Sequence, residues 1–200
     1  MPKAIDSFEQ ALCTDREIGD RIGEGDILGS LGSYYGQSGD TRKAIACFEQ
    51  GREIFRQIGN RRAEGKAVAN LGHSFTVLGD PRKAIELLGE ALVAARETGD
   101  RRGEGHVLGN LGQAHTALAD FPQTIEFFSQ AAAIASEVKD QREEAMLLYN
   151  CALAMGRVGN RGQAIACTES ALQIFRTIEV PPPTMLRTML AEWREEEDNP

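Results

Sequence analysis

The side chains of this 200-residue sequence that could do chemistry are few, and their spacing argues against catalysis. Histidines stand at 73, 106 and 115. His73 and His106 have no Cys, Asp or Glu companion at the spacing that a metal needs to gather its ligands, so no metal and no cofactor is expected. His115 shares a column with Tyr35 and Phe75 and is expected as a packed ring. No nucleophile motif, phosphate loop or paired carboxylate constellation appears. The glycine-rich GDRRGEG at 99–105 follows no strand, so it reads as a helix junction. Arg21/Glu24, Arg61/Glu64 and Arg101/Glu104 read as local ion pairs on a helix, worth a few tenths of a kcal/mol. The sequence predicts a protein that is not an enzyme.

What recurs instead is a polar pattern. Ser30, Asn70, Asn110 and Asn150 fall at one position of a forty-residue period. Asp26, Lys66, His106 and Met146 make a second column, and Ser33, His73, Gln113 and Leu153 a third. Asparagine both donates and accepts hydrogen bonds, so it can pair with a peptide backbone whatever the side chains are. Core packing would not select it repeatedly on the face opposite the leucines. Gly29, Ala69 and Gly109 leave room for such a backbone to approach.

The elements that position these columns follow from the same period. Leu71-Gly72 falls on Leu31-Gly32 and Leu111-Gly112, and Ala84-Ile85 falls on Ala44-Ile45 and Ala164-Ile165. Self-similarity at this spacing is the mark of a solenoid. Val68, Leu71, Gly72, Phe75 and Leu78 recur at three- and four-residue steps, one face of a helix. Leu78-Gly79-Asp80-Pro81 stops it: glycine takes the left-handed turn, Asp80 caps the next helix and Pro81 fits its first turn. Ala84, Ile85, Leu88, Ala91, Leu92 and Ala95 then form the stripe of a second helix. Glycine within the first helix costs up to about 1 kcal/mol relative to alanine, which close helix approach is expected to offset. A half repeat at 1–20, second helix only, precedes units at 21–60, 61–100, 101–140 and 141–180. The fourth is the most divergent, with Cys151-Ala152 for Leu-Gly and Thr168 at the aromatic position. Cys47 and Cys167 share one position three units apart, too far to bridge in a stack. With Cys13 and Cys151 they form no Cys-x-x-Cys pair and are expected as reduced, mostly packing thiols.

The order Leu71-Gly72, Phe75, Gly79, Ala84, Leu88, Ala91 resembles the tetratricopeptide repeat, whose consensus has Leu-Gly, Tyr, Gly, Ala, Phe and Ala at these spacings. Tyr35, Phe48 and Phe128 restore the aromatics. The period exceeds the usual length of about 34 residues, and the surplus is assigned to the second helix. Long repeats of this kind look like those of Pins-type Leu-Gly-Asn repeat adaptors and of bacterial arrays attached to signalling NTPases or caspase-like proteases. The resemblance implies an all-α, right-handed α-solenoid of antiparallel helix pairs, with first helices lining a concave groove that takes a peptide or protein partner. The positions carried onto that groove are Ser30, Asn70, Asn110, Asn150, Lys66, His73, His106 and Gln113. Where Pins-like adaptors have a further asparagine after Leu-Gly, this chain has Ser33, His73, Gln113 and Leu153, and the paired lysines of chaperone-binding relatives are absent.

At 181–200 a capping helix and an acidic tail are expected. Thr184 would cap it, and Met185, Leu186, Met189, Leu190 and Trp193 would share its apolar face. At the other end Ile5, Phe8 and Leu12 should expose an apolar strip, a surface for homo-oligomer formation through the half repeat. Lys plus Arg number 22 against 30 Asp plus Glu, a net charge of −8 that argues against nucleic acid. No apolar run reaches the roughly 18–20 residues of a membrane helix, so no membrane partner is expected. MPKAIDSFEQ lacks a signal-peptide core, which points to the cytoplasm. Two functions fit: a protein- or peptide-binding adaptor, or a self-assembling module or sensor array detached from a larger signalling NTPase or protease.

Overall fold

The computed structural model describes residues 2–198, with side chains described over 5–195. The described residues form ten helices and no strand. After α1 (Pro2–Ile18) come α2 (Arg21–Gln37) with α3 (Thr41–Gln57), and α4 (Arg61–Leu78) with α5 (Pro81–Glu97). Then follow α6 (Arg101–Ala117) with α7 (Phe121–Glu137), α8 (Gln141–Arg157) with α9 (Arg161–Thr177), and α10 (Thr184–Asp198). The antiparallel pairs start at 21, 61, 101 and 141, as the period requires, and the fold is all-α of the solenoid class. The extra length is not confined to second helices. First and second helices alike run 17 residues, with α4 alone among them at 18.

The junctions explain why every helix stops on schedule. Gly79 sits in the left-handed region (φ 90°) and its N–H reaches back to the Phe75 and Thr76 carbonyls. Asp80 then accepts from the Lys83 N–H, with Pro81 in the first turn. Asp20, Asp40, Asn60, Asp120 and Asp140 cap their helices in the same way. Ala119 (φ 56°), Lys139 (φ 59°) and Glu179 (φ 55°) hold this turn without glycine, at roughly 1–2 kcal/mol each.

The chain divides into two compact units, Met1–Asp100 and Arg101–Pro200. In the first, α2 approaches α3 so closely that a Cβ on Gly32 would stand 2.6 Å from the Phe48 ring. A Cβ on Gly72 would meet Leu88 Cγ at 2.6 Å, and one on Gly25 the Phe55 ring at 2.6 Å. Neighbouring pairs then share a core: Ala44, Phe48 and Leu71 are buried together, with Tyr35, Ile45 and Leu87 packed on them. In the second unit Gly112 faces the Phe128 ring at 2.7 Å. Ala152 and Thr168, both fully buried, occupy the corresponding positions of the last pair. There an added methyl is matched by a smaller opposite residue.

Charged clasps finish the pairs. Arg61 binds Glu64 on its own helix at 3.3 Å and also Glu97 at the far end of α5 at 3.0 Å. Arg101 repeats this with Glu104 (2.8 Å) and Glu137 (2.7 Å), and Arg21 joins Glu24 to Gln57. These arginines therefore tie first helix to second, beyond the local pairing that their spacing suggests. Glu24 is buried and also accepts from Arg16 of α1 at 2.8 Å. That bond, with the charges of Arg21 and Arg16, holds its carboxyl below the ordinary value of 4.5.

Both ends differ from expectation. Leu12 is buried with Leu28 and Ile54, and Phe8 is half-buried with its ring 6.5 Å from Tyr34. Ile5 is half-buried too, so these residues do not form an open strip, because α1 lays this face on α2. The side chain of Ala4, the start of the same stripe, lies outside the described residues. At the other end α10 covers α9 as a cap should: Leu186, Met189 and Trp193 are buried, and Leu186 joins Ala145, Ala171, Leu172 and Phe175. Thr184 is the first helical residue rather than a cap before the helix, and Met185 is turned outward, 60% exposed. The side chains of the acidic run from Glu196 onward lie outside the described residues.

Two outcomes are expected. Deleting 184–200 strips cover from Leu172 and Phe175 and removes three buried side chains, each worth roughly 1.5–3 kcal/mol at full burial. Solubility is lost or the melting temperature falls steeply; an unchanged melting curve would show that α10 is no cap. Glu24→Gln should lower stability by about 1 kcal/mol near neutral pH, given that its arginines are half exposed. A depressed folded pKa gives stability that is present above the unfolded value and lost as pH falls through the folded one. Denaturant midpoints of variant and wild type should therefore converge in acid, and a gap independent of pH would refute this role.

Candidate functional site

In the first unit the expected groove positions lie on the side of α4 turned away from α5. Taking about 100° per residue, Lys66, Asn70 and His73 sit roughly 100–160° around the helix from Gly72, which faces α5. All three are exposed, as are Asp26, Ser30 and Ser33 on α2. Their chemistry is uneven. The Ser30 hydroxyl donates to the Asp26 carbonyl (3.0 Å) and that of Ser33 to the Gly29 carbonyl (2.9 Å), so both donors are spent on their own helix. Lys66 stands 3.9 Å from Asp100, whose buried carboxylate Arg62 holds at 2.8 Å. Asn70 and His73 have no side-chain hydrogen bond among the described residues.

The second unit differs. Asn110 and Asn150 are half-buried, as are Met146 and Leu153, while His106 and Gln113 are exposed. Gln113, Asn150 and Leu153 converge on a cleft of about 390 Å³ between α6 and α8. Phe121 and Phe128 of α7, together with Ala154, give it apolar walls, and Arg157 stands at its edge. His106 is not part of it; it borders a small recess with Arg102, Asp140 and Glu143. The structure thus gathers some groove positions and separates others.

Arg157 and Phe121 were not singled out from the sequence, although a signal was there. Arg157 is the one cation in the column Gln37, Val77, Ala117, Arg157, and Phe121 the one aromatic in the column Thr41, Pro81, Phe121, Arg161. Unlike Arg61 and Arg101, Arg157 has no ion pair or hydrogen bond among the described residues.

His115 is packed, as its column requires: its ring lies 5.2 Å from that of Phe127, and Nδ1 is 3.2 Å from Asp120 Oδ2. The cysteines bring a surprise. Cys151 Sγ of α8 is 3.3 Å from Ser129 Oγ, and Cys167 Sγ of α9 donates to Met155 Sδ at 3.9 Å. The neighbouring Cys167 thiol and Ser129 outweigh burial and draw Cys151 down to about 7, whereas Cys151 and burial together push Cys167 up. Sequence spacing hid this pair because the two residues lie on facing helices of one repeat. Among the described residues no three His, Cys, Asp or Glu side chains gather as a metal site, and no helix is long and apolar enough to cross a membrane.

The sequence matches family models described as Tetratricopeptide repeat over residues 66–137 and 107–177, and again over 25–57. No curated protein matches it. Among solved structures it is similar to BtubC (BKLC) from P. vanneervenii, with a TM-score of 0.80 at 21% identity, over 92% of this chain and 76% of that one. It is also similar to a Rap protein complexed with Competence and Sporulation Factor (TM-score 0.81, 19% identity, 96% of this chain). A third is a signal transduction ATPase with numerous domains and a tetratricopeptide repeat sensor from Pyrococcus horikoshii (0.67, 18%, 89% of this chain). The chain spans 52% of that Rap protein and 26% of that ATPase. At these identities the likeness is one of fold.

Because Arg157 bonds to none of the described residues, Arg157→Gln should leave the melting temperature nearly unchanged, within about 0.5 kcal/mol. A clear loss in thermal denaturation would make Arg157 a structural residue.

Proposed function

We propose, for a chain that belongs to the tetratricopeptide repeat family, that it is a non-catalytic interaction module binding a peptide or protein segment on the outward faces of its first helices. The observation that carries this is the set of polar side chains there with no hydrogen bond among the described residues: Asn70 and His73 in the first unit, Asn110, Asn150 and Gln113 in the second. A folded chain gains nothing internally from such groups at these positions. Successive first helices within a unit bring equivalent positions round again, and helices pack about 8–10 Å apart while an extended strand advances about 3.3 Å per residue. Asn110 and Asn150 would thus meet a bound strand about once every three residues, each offering a donor and an acceptor to its backbone. The Rap protein solved in complex with Competence and Sporulation Factor is a precedent for a fold of this kind holding a partner.

The second reading, a sensor array of a larger signalling ATPase, is favoured by the Pyrococcus horikoshii protein, whose repeats are described as its sensor. It uses the same faces and differs in what the array is joined to. An ATPase reading frame fused or adjacent to this one would support it.

The test is the double variant Asn70→Ala with Asn110→Ala. Partners are captured from host lysate with the wild-type chain, purified, and their affinities measured. Each lost hydrogen bond should cost about 0.5–1.5 kcal/mol, so affinity should fall roughly tenfold or more while the melting temperature barely moves. Normal binding of every purified partner by the double variant would refute the mechanism.

A further inference from the structure

We propose that the cleft between α6 and α8 selects the partner: it seats one large apolar side chain of an extended segment whose neighbouring residue places a carboxylate on Arg157. The proposal rests on the reading of the first-helix faces as a peptide-binding surface and names the class of segment they take.

The walls set the first requirement. Phe128 is buried, Phe121 and Leu153 are half-buried, and with Ala154 they enclose a hollow of about 390 Å³. That volume lies at the lower end of the roughly 300–1,000 Å³ of ligand pockets, room for a leucine, methionine or phenylalanine side chain rather than a helix. Sinking such a side chain among aromatic walls releases water from both surfaces.

The rim sets the second. Gln113 and Asn150 line the cleft and have no hydrogen bond among the described residues, so their amides are open to the backbone on either side of the seated residue. Arg157 lies in the last turn of α8, where a cation is favoured by the helix dipole. That accounts for its charge and leaves its five donors unpaired. A guanidinium fork matches a carboxylate with two parallel hydrogen bonds, whereas an amide answers it poorly and a lysine is repelled.

The pocket is particular to this unit rather than a by-product of the repeat. Eighty residues earlier the same positions hold Thr41 for Phe121, His73 for Leu153 and Val77 for Arg157. Phe128 has its counterpart in Phe48 and Asn150 in Asn70. The first unit therefore repeats the floor and one backbone-pairing amide but not the apolar wall or the charge.

The experiment uses the full chain on an array of random peptides with both ends blocked, so that terminal charges play no part. Bound sequences should be enriched in Leu, Met or Phe beside Asp or Glu. In the best peptide, resynthesised, Asp→Asn or Glu→Gln should weaken binding by about tenfold to the wild type and hardly at all to Arg157→Gln. Leu→Ala in the peptide should weaken binding to both proteins. Phe121→Ala should erase the apolar preference; if that variant melts early, Leu153→Ala replaces it. Peptides bound without this enrichment, or bound equally by wild type and Arg157→Gln with no carboxylate preference, would overturn the pocket. In that case Asn70→Ala with Asn110→Ala decides whether the wider binding face survives: weakened binding keeps it. An array that binds nothing overturns both.

Discussion

Three of the four helix pairs depend on a side chain that is missing. Gly32, Gly72 and Gly112 stand where a methyl group would lie 2.6–2.7 Å from the residue opposite, inside any tolerable contact. The helix-propensity cost of glycine, about 1 kcal/mol, is small beside what the approach permits. It lets Leu88 reach full burial and lets Phe48 and Phe128 nearly reach it. Burying a side chain of that size is worth about 1.5–3 kcal/mol. The device reappears where α10 closes the second unit: a Cβ on Gly156 would meet Trp193 at 2.6 Å. There the indole of the cap fills a groove that glycine leaves in α8, and Arg161 lies over the same ring at 6.0 Å.

Because that contact lies inside each pair and the shared core lies between pairs, timing along the chain is a structural requirement. A helix one residue longer would turn its successor's glycine by roughly 100° and lose the fit. The Gly-Asp junctions supply the timing through two independent hydrogen-bond systems, carbonyls satisfied by the left-handed turn and N–H groups satisfied by the carboxylate cap. At Ala119 and Lys139 the turn persists without glycine, followed at once by the Asp120 and Asp140 caps.

These features were legible in the sequence because they repeat. Helix number, boundaries, caps and the glycine contacts follow from a pattern that eight half-units state again and again. What was not legible is what happens once or between helices. The arginine at the start of α4 reads as a local partner of Glu64, and only the antiparallel return of α5 brings Glu97 to it. Cys167 of α9 reaches Met155 of α8 for the same reason. Leu12 looked exposed because its stripe reads as a second helix without its first, yet Leu28 of α2 and Ile54 of α3 bury it. In the candidate site the columns were visible but not their state: the hydroxyls of Ser30 and Ser33 turn back onto α2, which no spacing rule distinguishes from a hydroxyl offered to a ligand.

The way the repeats differ from one another separates packing from recognition. In the core, change at one position is answered by change at its contact. Gly32, Gly72 and Gly112 face Phe48, Leu88 and Phe128, and where Ala152 replaces the glycine Thr168 replaces the ring. Volume is conserved across the pair because a close-packed interior resists both voids and excess. The column Ser33, His73, Gln113, Leu153 shows no such answer, nor does Gln37, Val77, Ala117, Arg157. Charge, polarity and size vary there without a matching change at a facing residue among the described ones. Leu153 and Arg157, one apolar and one cationic, meet at a single cleft with Phe121. That uncompensated variation is what supports the proposal that this face takes a partner.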